Sequence, residues 1–192
     1  MVHPAGYLVT SSHLSGTGRL FAYLPDPKRP FDPPRRRLYL LRLVRRDAAS
    51  DLALFRIVRY RAGGHFRPLP AGTVFPHALL GGTERLEVLD PIYSFGYPVL
   101  SRLEGELRSG IIGIAGRVSG WDRRRGWLKA MLPVSPGHSG GPVVDRRGLL
   151  VGIVTAARLD RASGARFALV RPVELVRRHL AETTATRRRG RE

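Results

Sequence analysis

Short β-rich runs, each closed by turn-forming residues, constrain this chain more than any other feature. They fall at residues 6–10, 38–44, 52–58, 92–95, 110–115, 127–132, 142–144, 149–155 and 166–170. β-branched and aromatic side chains suit a pleated, half-buried surface, and Gly, Pro, Asn and Asp interrupt it. Closely spaced runs of this kind predict an all-β barrel or sandwich and exclude an alternating βαβ fold. The segment from Val143 to Leu150 reads as a hairpin, with Asp145 and Gly148 supplying the turn. Residues 172–180 change period. Pro172 suits a first helical turn, and Val173, Val176 and Leu180 recur on one face of a helix. The proline-rich stretch 25–34 is expected to be a surface loop, and the weakly patterned residues 61–90 to contain a connection between two halves. The polar, arginine-rich residues 183–192 are expected to form a disordered tail.

A length of 192 residues fits one domain or two small subdomains sharing an interface. That is enough chain to bury a core without staples. Cysteine is absent, which excludes a disulfide scaffold, a thiol nucleophile and thiolate metal sites. It leaves the redox compartment open. Met1 to Tyr7 has neither a basic n-region nor an apolar h-region, and no run approaches the roughly 18 apolar residues of a span. The expectation is a chain without export signal or membrane span, cytoplasmic by default.

The formal charge of +18 raises the possibility of a nucleic-acid or anionic partner. The arginines, however, sit in separate clusters at 35–37, 45–46, 123–125, 146–147 and 187–189, mostly beside prolines, glycines or aspartates. No single helix and no RNA-binding aromatic signature gathers them. A solvated basic surface is therefore expected, with no specific nucleic-acid partner.

Three segments carry chemistry. Gly6-Tyr7-Leu8-Val9-Thr10-Ser11-Ser12-His13 is a strand running into a histidine. Asp47-Ala48-Ala49-Ser50-Asp51-Leu52-Ala53-Leu54 is an aspartate entering an apolar strand. Pro136-Gly137-His138-Ser139-Gly140-Gly141-Pro142 is a serine within a glycine-rich turn. A serine hydroxyl is a poor nucleophile until an imidazole takes its proton. The imidazole needs a carboxylate on its other nitrogen to fix the tautomer. The tetrahedral intermediate needs backbone N–H donors aimed at its oxyanion. These residue types in this order predict His13 as general base, Asp51 as its orienting acid and Ser139 as nucleophile, with the N–H groups of Gly137 and Ser139 as oxyanion hole. Each piece alone has a plainer reading, as a strand-end histidine, a turn aspartate or a hairpin turn. The ordered combination is what favours a triad.

The same segments resemble those of trypsin-like peptidases, most closely the bacterial HtrA/Deg branch. The likeness extends to Tyr93-Ser94-Phe95-Gly96-Tyr97-Pro98, Ser109-Gly110-Ile111-Ile112-Gly113, the strand at 148–155 and Phe167-Ala168-Leu169-Val170-Arg171-Pro172. The resemblance implies a chymotrypsin-like fold of two Greek-key, six-stranded-type antiparallel β-barrels with a short C-terminal helix. Residues 1–182 would be the peptidase domain, with 1–88 the first barrel, 89–171 the second and 172–182 the helix. The family carries a complete strand before the Gly-Tyr segment and only five residues precede Gly6 here, so three readings stay open: a misplaced start, a fragment, or a first barrel lacking its first strand. No PDZ-like segment follows, so peptide sensing through one is not expected. His138 stands where trypsin-type zymogens carry an aspartate, which argues against activation by a freed N-terminus. The resemblance also implies a specificity pocket near Pro133, Thr155–Ala157 and 165–167, with Pro133, Thr155, Ala156, Ala157 and Arg166 as substrate-binding residues. Its lining is apolar and lacks an acidic base, which points to small or medium aliphatic residues at P1. A polypeptide substrate, no cofactor and no metal are expected.

Two other readings compete. Gly137-His138-Ser139-Gly140-Gly141 also satisfies the nucleophile elbow of α/β-hydrolases, with Asp160 and His179 downstream in the required order. That elbow must lead into a helix, whereas Pro142-Val143-Val144 reads as a strand. The other is a catalytically inactive trypsin-like domain acting as a basic binding module.

Overall fold

The computed structural model describes residues 1–16, 18–24, 37–97, 111–159, 164 and 166–189. The expected loop at 25–34, Pro98, Ser109, Gly110, Asp160, Ala165 and the last three residues lie outside the described residues.

The N-terminal sheet is built from β1 (Tyr7–Ser11), β2 (Leu20–Tyr23), β3 (Leu38–Asp47), β4 (Leu52–Ala62) and β5 (His65–Pro68). Its order is β1-β4-β3-β2, with β5 pairing β4, and every pairing is antiparallel. β4 is the spine. One edge runs along β3 from Tyr39↔Tyr60 to Asp47↔Leu52, and the other meets β1 from Tyr7↔Arg56 to Ser11↔Leu52. The apolar start of β4, Leu52-Ala53-Leu54-Phe55, is fully buried, whereas its arginine-bearing second half is largely half-exposed. Strands β2 and β5 do not stand out in the sequence pattern. They are four residues each, and a stacked pair, Phe21 and Phe66, joins them at 5.5 Å between ring centroids.

The C-terminal half is a closed antiparallel barrel of β6 (Pro91–Gly96), β7 (Ile112–Asp122), β8 (Trp127–Met131), β9 (Pro142–Asp145), β10 (Leu150–Leu159) and β11 (Arg166–Pro172), in the cyclic order β10-β11-β8-β7-β6-β9. Alternate residues of these strands point inward. Ile92, Val118, Leu128, Ala130, Val143, Val151, Val154, Ala168 and Val170 form its interior. The expected two-barrel, all-β architecture is thus present, with a complete second barrel and a first sheet that stays open among the described residues.

Helix α1 (Val173–Arg189) closes the seam between the halves. Val173, Val176 and Leu180 pack with Val2, Tyr7, Leu52 and Leu54 of the N-terminal half and with Leu150 and Ile153 of β10. Burying each such side chain stabilises by about 1.5–3 kcal/mol. The helix passes the expected end at residue 182 and continues to Arg189 through the stretch expected to be a tail. An Arg45–Glu182 ion pair ties that turn of helix back to β3. The connection between the halves is tied down as well. Gly81 N–H donates to the Leu150 carbonyl (2.8 Å), and Thr83 N–H donates to Glu174 Oε1 (2.8 Å). Among the described residues no helix is long and apolar enough to cross a membrane.

Candidate active site

β1 ends at Ser11 and the chain enters a single 3₁₀ turn, Ser12–Leu14, that carries His13. β3 ends at Asp47, whose Oδ1 accepts the N–H groups of Ala49 (3.0 Å) and Ser50 (3.2 Å). A short polar side chain that captures backbone N–H groups in this way turns the chain locally. The turn returns the strand as β4 with Asp51 at φ +52°, a left-handed conformation that aspartate tolerates better than most residues.

The consequence is an aimed carboxylate. Asp51 Oδ2 lies 2.9 Å from His13 Nδ1. Asp51 Oδ1 accepts the His13 backbone N–H (3.0 Å) and the Ser12 hydroxyl (2.9 Å), and the Asp51 carbonyl accepts the Ser12 N–H (3.1 Å). A carboxylate held at Nδ1 favours the Nδ1–H tautomer and leaves Nε2 with a free lone pair. Ser12 is a residue that sequence reasoning missed. It signals itself only as one of two serines before the histidine.

Ser139 comes from the other half. The segment after β8 turns at Pro136-Gly137, where His138 N–H donates to the Ser135 carbonyl (3.0 Å) and Gly137 has φ +102°. Proline followed by a positive-φ glycine is the composition of a type II turn. Gly140, at φ +79°, donates its N–H to the Val154 carbonyl (2.7 Å), and a Cβ there would overlap the Thr10 hydroxyl. Ser11 Oγ donates to that same Val154 carbonyl at 3.2 Å. One acceptor on β10 therefore receives both the turn beside Ser139 and the strand end that leads into His13. The structure brings His13 and Asp51 into direct contact and packs the Ser139 turn against Thr10 and Ser11. Under the turn, His138 is buried at 2% exposure, its Nδ1 3.2 Å from Ser135 Oγ.

The residues expected to line the specificity pocket share the β10–β11 hairpin, apart from Pro133. Thr155 follows Val154 at a register shift and is buried, its hydroxyl donating to the Leu169 carbonyl (3.1 Å). Ala156 and Ala157 stand opposite Leu169 and Ala168, next along the strand. Arg166 pairs with Leu159 at the far end of the hairpin. Pro133 is exposed between buried Leu132 and Val134, on the segment leading to the Ser139 turn. Sequence reasoning also passed over Arg171, a buried cation in the last strand that reaches the turn before Asp51. Among the described residues no cluster of three or more His, Asp or Glu could hold a metal ion.

A closed antiparallel barrel bearing a glycine-rich serine turn, facing a second β-sheet bearing a histidine–aspartate pair, is the architecture of the chymotrypsin-like two-barrel class. Residues 1–153 match the trypsin-like peptidase domain family, and the chain belongs to it. Among curated relatives, the serine-protease homologue HhoA of Synechocystis sp. is 30% identical over 174 residues, covering 88% of this chain and 38% of the relative. A periplasmic DegP-like serine endoprotease of Rhizobium meliloti is 28% identical over 151 residues, covering 79% of this chain and 26% of the relative. An HtrA-like serine protease of Staphylococcus epidermidis is 28% identical over 146 residues, with 71% and 23% covered. The chain thus spans well under half the length of these curated relatives. Among solved structures, the HtrA-type protease AlgW with decapeptide superposes with a TM-score of 0.68 at 20% identity, over 96% of this chain and 50% of AlgW.

Proposed function

We propose that this chain is a serine endopeptidase that hydrolyses peptide bonds through Ser139, His13 and Asp51. The 2.9 Å contact between His13 Nδ1 and Asp51 Oδ2 carries the reading. A histidine so oriented has Nε2 free to take the Ser139 proton, and the carboxylate stabilises the imidazolium that results. Ser139 Oγ then attacks the substrate carbonyl carbon. The N–H groups of Gly137 and Ser139 serve as donors to the oxyanion, and collapse of the intermediate gives an acyl-enzyme that water hydrolyses. His13 returns its proton to the leaving amine in the first half and activates the water in the second.

The relatives named as serine proteases and the AlgW structure with a decapeptide support a polypeptide substrate. The uncharged residues Pro133, Thr155, Ala156 and Ala157 favour a small or medium aliphatic side chain at P1, with Arg166 at the rim. The arginine surface is read as solvated, without a specific nucleic-acid target. A fluorophosphonate probe tests the assignment. It is expected to label the wild-type chain once, at Ser139, and to leave Ser139→Ala unlabelled, with peptide hydrolysis reduced about a million-fold, as in a related triad enzyme. Labelling that persists in Ser139→Ala refutes the nucleophile. A folded wild type that neither labels nor hydrolyses favours the inactive binding module.

A further inference from the structure

β11 sends one charge into the seam between the two halves. Arg171, opposite Ile153 in the ladder, is 8% exposed. Its guanidinium lies over the Trp127 ring, 3.4 Å from the centroid. On the barrel side, Nη1 donates to the carbonyls of Arg125 (2.8 Å) and Gly126 (3.3 Å), in the turn between β7 and β8. On the other side, Nε donates to the Ser50 carbonyl (2.7 Å) and Nη2 to the Ala49 carbonyl (3.0 Å). Ala49 and Ser50 are the two residues immediately before Asp51.

That turn needs holding. Asp51 sits in the left-handed region, a conformation that persists in a non-glycine residue only where its surroundings over-determine it. Asp47 secures the turn's N–H groups, but the carbonyls of Ala49 and Ser50 point into the seam, where a backbone acceptor must find a donor. Only a planar fork with several N–H groups can satisfy carbonyls on both sides at once and stack on an indole. Lysine, with a single ammonium, cannot.

We propose that Arg171 is a positioning residue of the active site. By clamping Ala49 and Ser50 to the second barrel, it fixes the turn that aims Asp51 at His13 and sets that pair's distance from Ser139. The inference rests on the triad reading above. Arg171 donates to four backbone carbonyls and acts through Asp51. Burial pulls the Arg171 pKa below its ordinary value, and the Asp51 and Asp47 carboxylates act in the opposite direction.

The test uses the full chain with Arg171→Met, Arg171→Lys, Asp51→Asn and the Asp51→Asn/Arg171→Met double variant. Circular dichroism establishes the fold of each. kcat and KM are measured on one peptide substrate, and proton NMR follows the low-field His13 Nδ1–H resonance. Both single Arg171 variants should lower kcat about 100-fold, the scale of a small misplacement at a remote position, with KM little changed and the resonance lost or moved upfield. In the Asp51→Asn background, Arg171→Met should cost little more, because the two residues act as one unit. Full kcat with an unchanged resonance in Arg171→Lys overturns the proposal, as does a kcat loss that multiplies undiminished onto Asp51→Asn. Should Arg171→Met fail to fold, Arg171→Lys decides. The resonance separates the two ideas. A wild type that hydrolyses nothing and takes no label removes the triad reading, yet comparing its resonance with that of Arg171→Lys still decides the role of Arg171. A wild type without the resonance lacks the aimed pair, and the proposal falls.

Discussion

The C-terminal barrel closes on an apolar interior in which Ile92, Val118, Leu128 and Val170 are wholly buried, while β3 of the N-terminal sheet has no fully buried residue along its length. The two halves accordingly hold their share of the site by different means. An oxyanion hole needs backbone N–H groups pointing in set directions, and backbone directions are best preserved where a barrel has no free edge. The Ser139 turn is stitched into that barrel by Gly140 and Gly141 through Val154, and by Gly137 through Tyr97. The His13–Asp51 pair is secured by side-chain contacts, from Ser12 and Asp47 in its own half and from Arg171 across the seam, which holds the Ala49 and Ser50 carbonyls. Among the described residues of the N-terminal strands, full burial is confined to Tyr7 and Ser11 of β1 and to Leu52-Ala53-Leu54-Phe55 and Ile57 of β4.

If the pair depends on these side-chain contacts, its most sensitive point is the carboxylate. Asp51→Asn should preserve the fold and lower turnover about 10⁴-fold, the loss seen when the same change is made in a serine-protease triad. Near-normal hydrolysis in steady-state assays would move the acid elsewhere, with Asp47 next to be examined. If the serine turn depends on the barrel backbone, Gly140→Ala is the corresponding break. It adds a Cβ at φ +79° against the Thr10 hydroxyl. Displacing a donor of the proposed oxyanion hole should cost about 10²–10³-fold in kcat. Thr10→Ala in the same chain should restore part of the loss, and failure to do so would show that backbone strain alone is responsible.

Stability sharpens the contrast further. Leu128→Ala, inside the closed barrel, should cost about 2–5 kcal/mol. Leu40→Ala, half-buried in β3, should cost about 1 kcal/mol. Urea titrations of the two variants make the comparison, and equal midpoints would mean the open sheet is as tightly packed as the barrel. The smallest expected effect lies where α1 meets β3. Burial pushes the His179 pKa down, the Arg45 cation adds to that, and Asp47, 3.2 Å away, acts in the opposite direction, with Arg178 a further cation nearby. The unfolded chain therefore takes up this proton first. The stability contributed by the neutral ring is full above about pH 6.5 and is lost as pH falls through the folded-state value. His179→Gln should flatten the acid side of a stability–pH profile, and an unaltered profile would exclude His179 as its source.

His13, Asp51 and Ser139 stood out in the sequence because each sits in a recognisable local pattern: Gly6 and Tyr7 ahead of His13, Asp47 ahead of Asp51, paired glycines after Ser139. The strand centres were legible for the same reason, since β-branched runs announce themselves. Their ends were not. β3 extends through Arg45, Arg46 and Asp47 because Leu54, Ala53 and Leu52 stand opposite them, and a ladder partner is not visible along the chain. β5, with His65, Arg67 and Pro68, is held by pairing with the far end of β4 and by the Phe21–Phe66 stack, neither of which is visible along the chain. Helix α1 continues past residue 182 where the sequence turns polar, and Glu182 meets Arg45 from another element. Arg171 was the hardest to read. Its partners are backbone carbonyls from two distant turns, and carbonyls leave no trace in a sequence.

The lid formed by α1 also orders events in time. A ribosome delivers residues 7–11 and 52–57 first and the barrel strands next, but Val173, Val176 and Leu180 last. Until then the greasy joint around Leu52, Leu54, Leu150 and Ile153 has no cover on that side. The halves of a nascent chain thus lack this packing between them until the helix has formed. Synthesis order leaves this joint uncovered until the helix has been made.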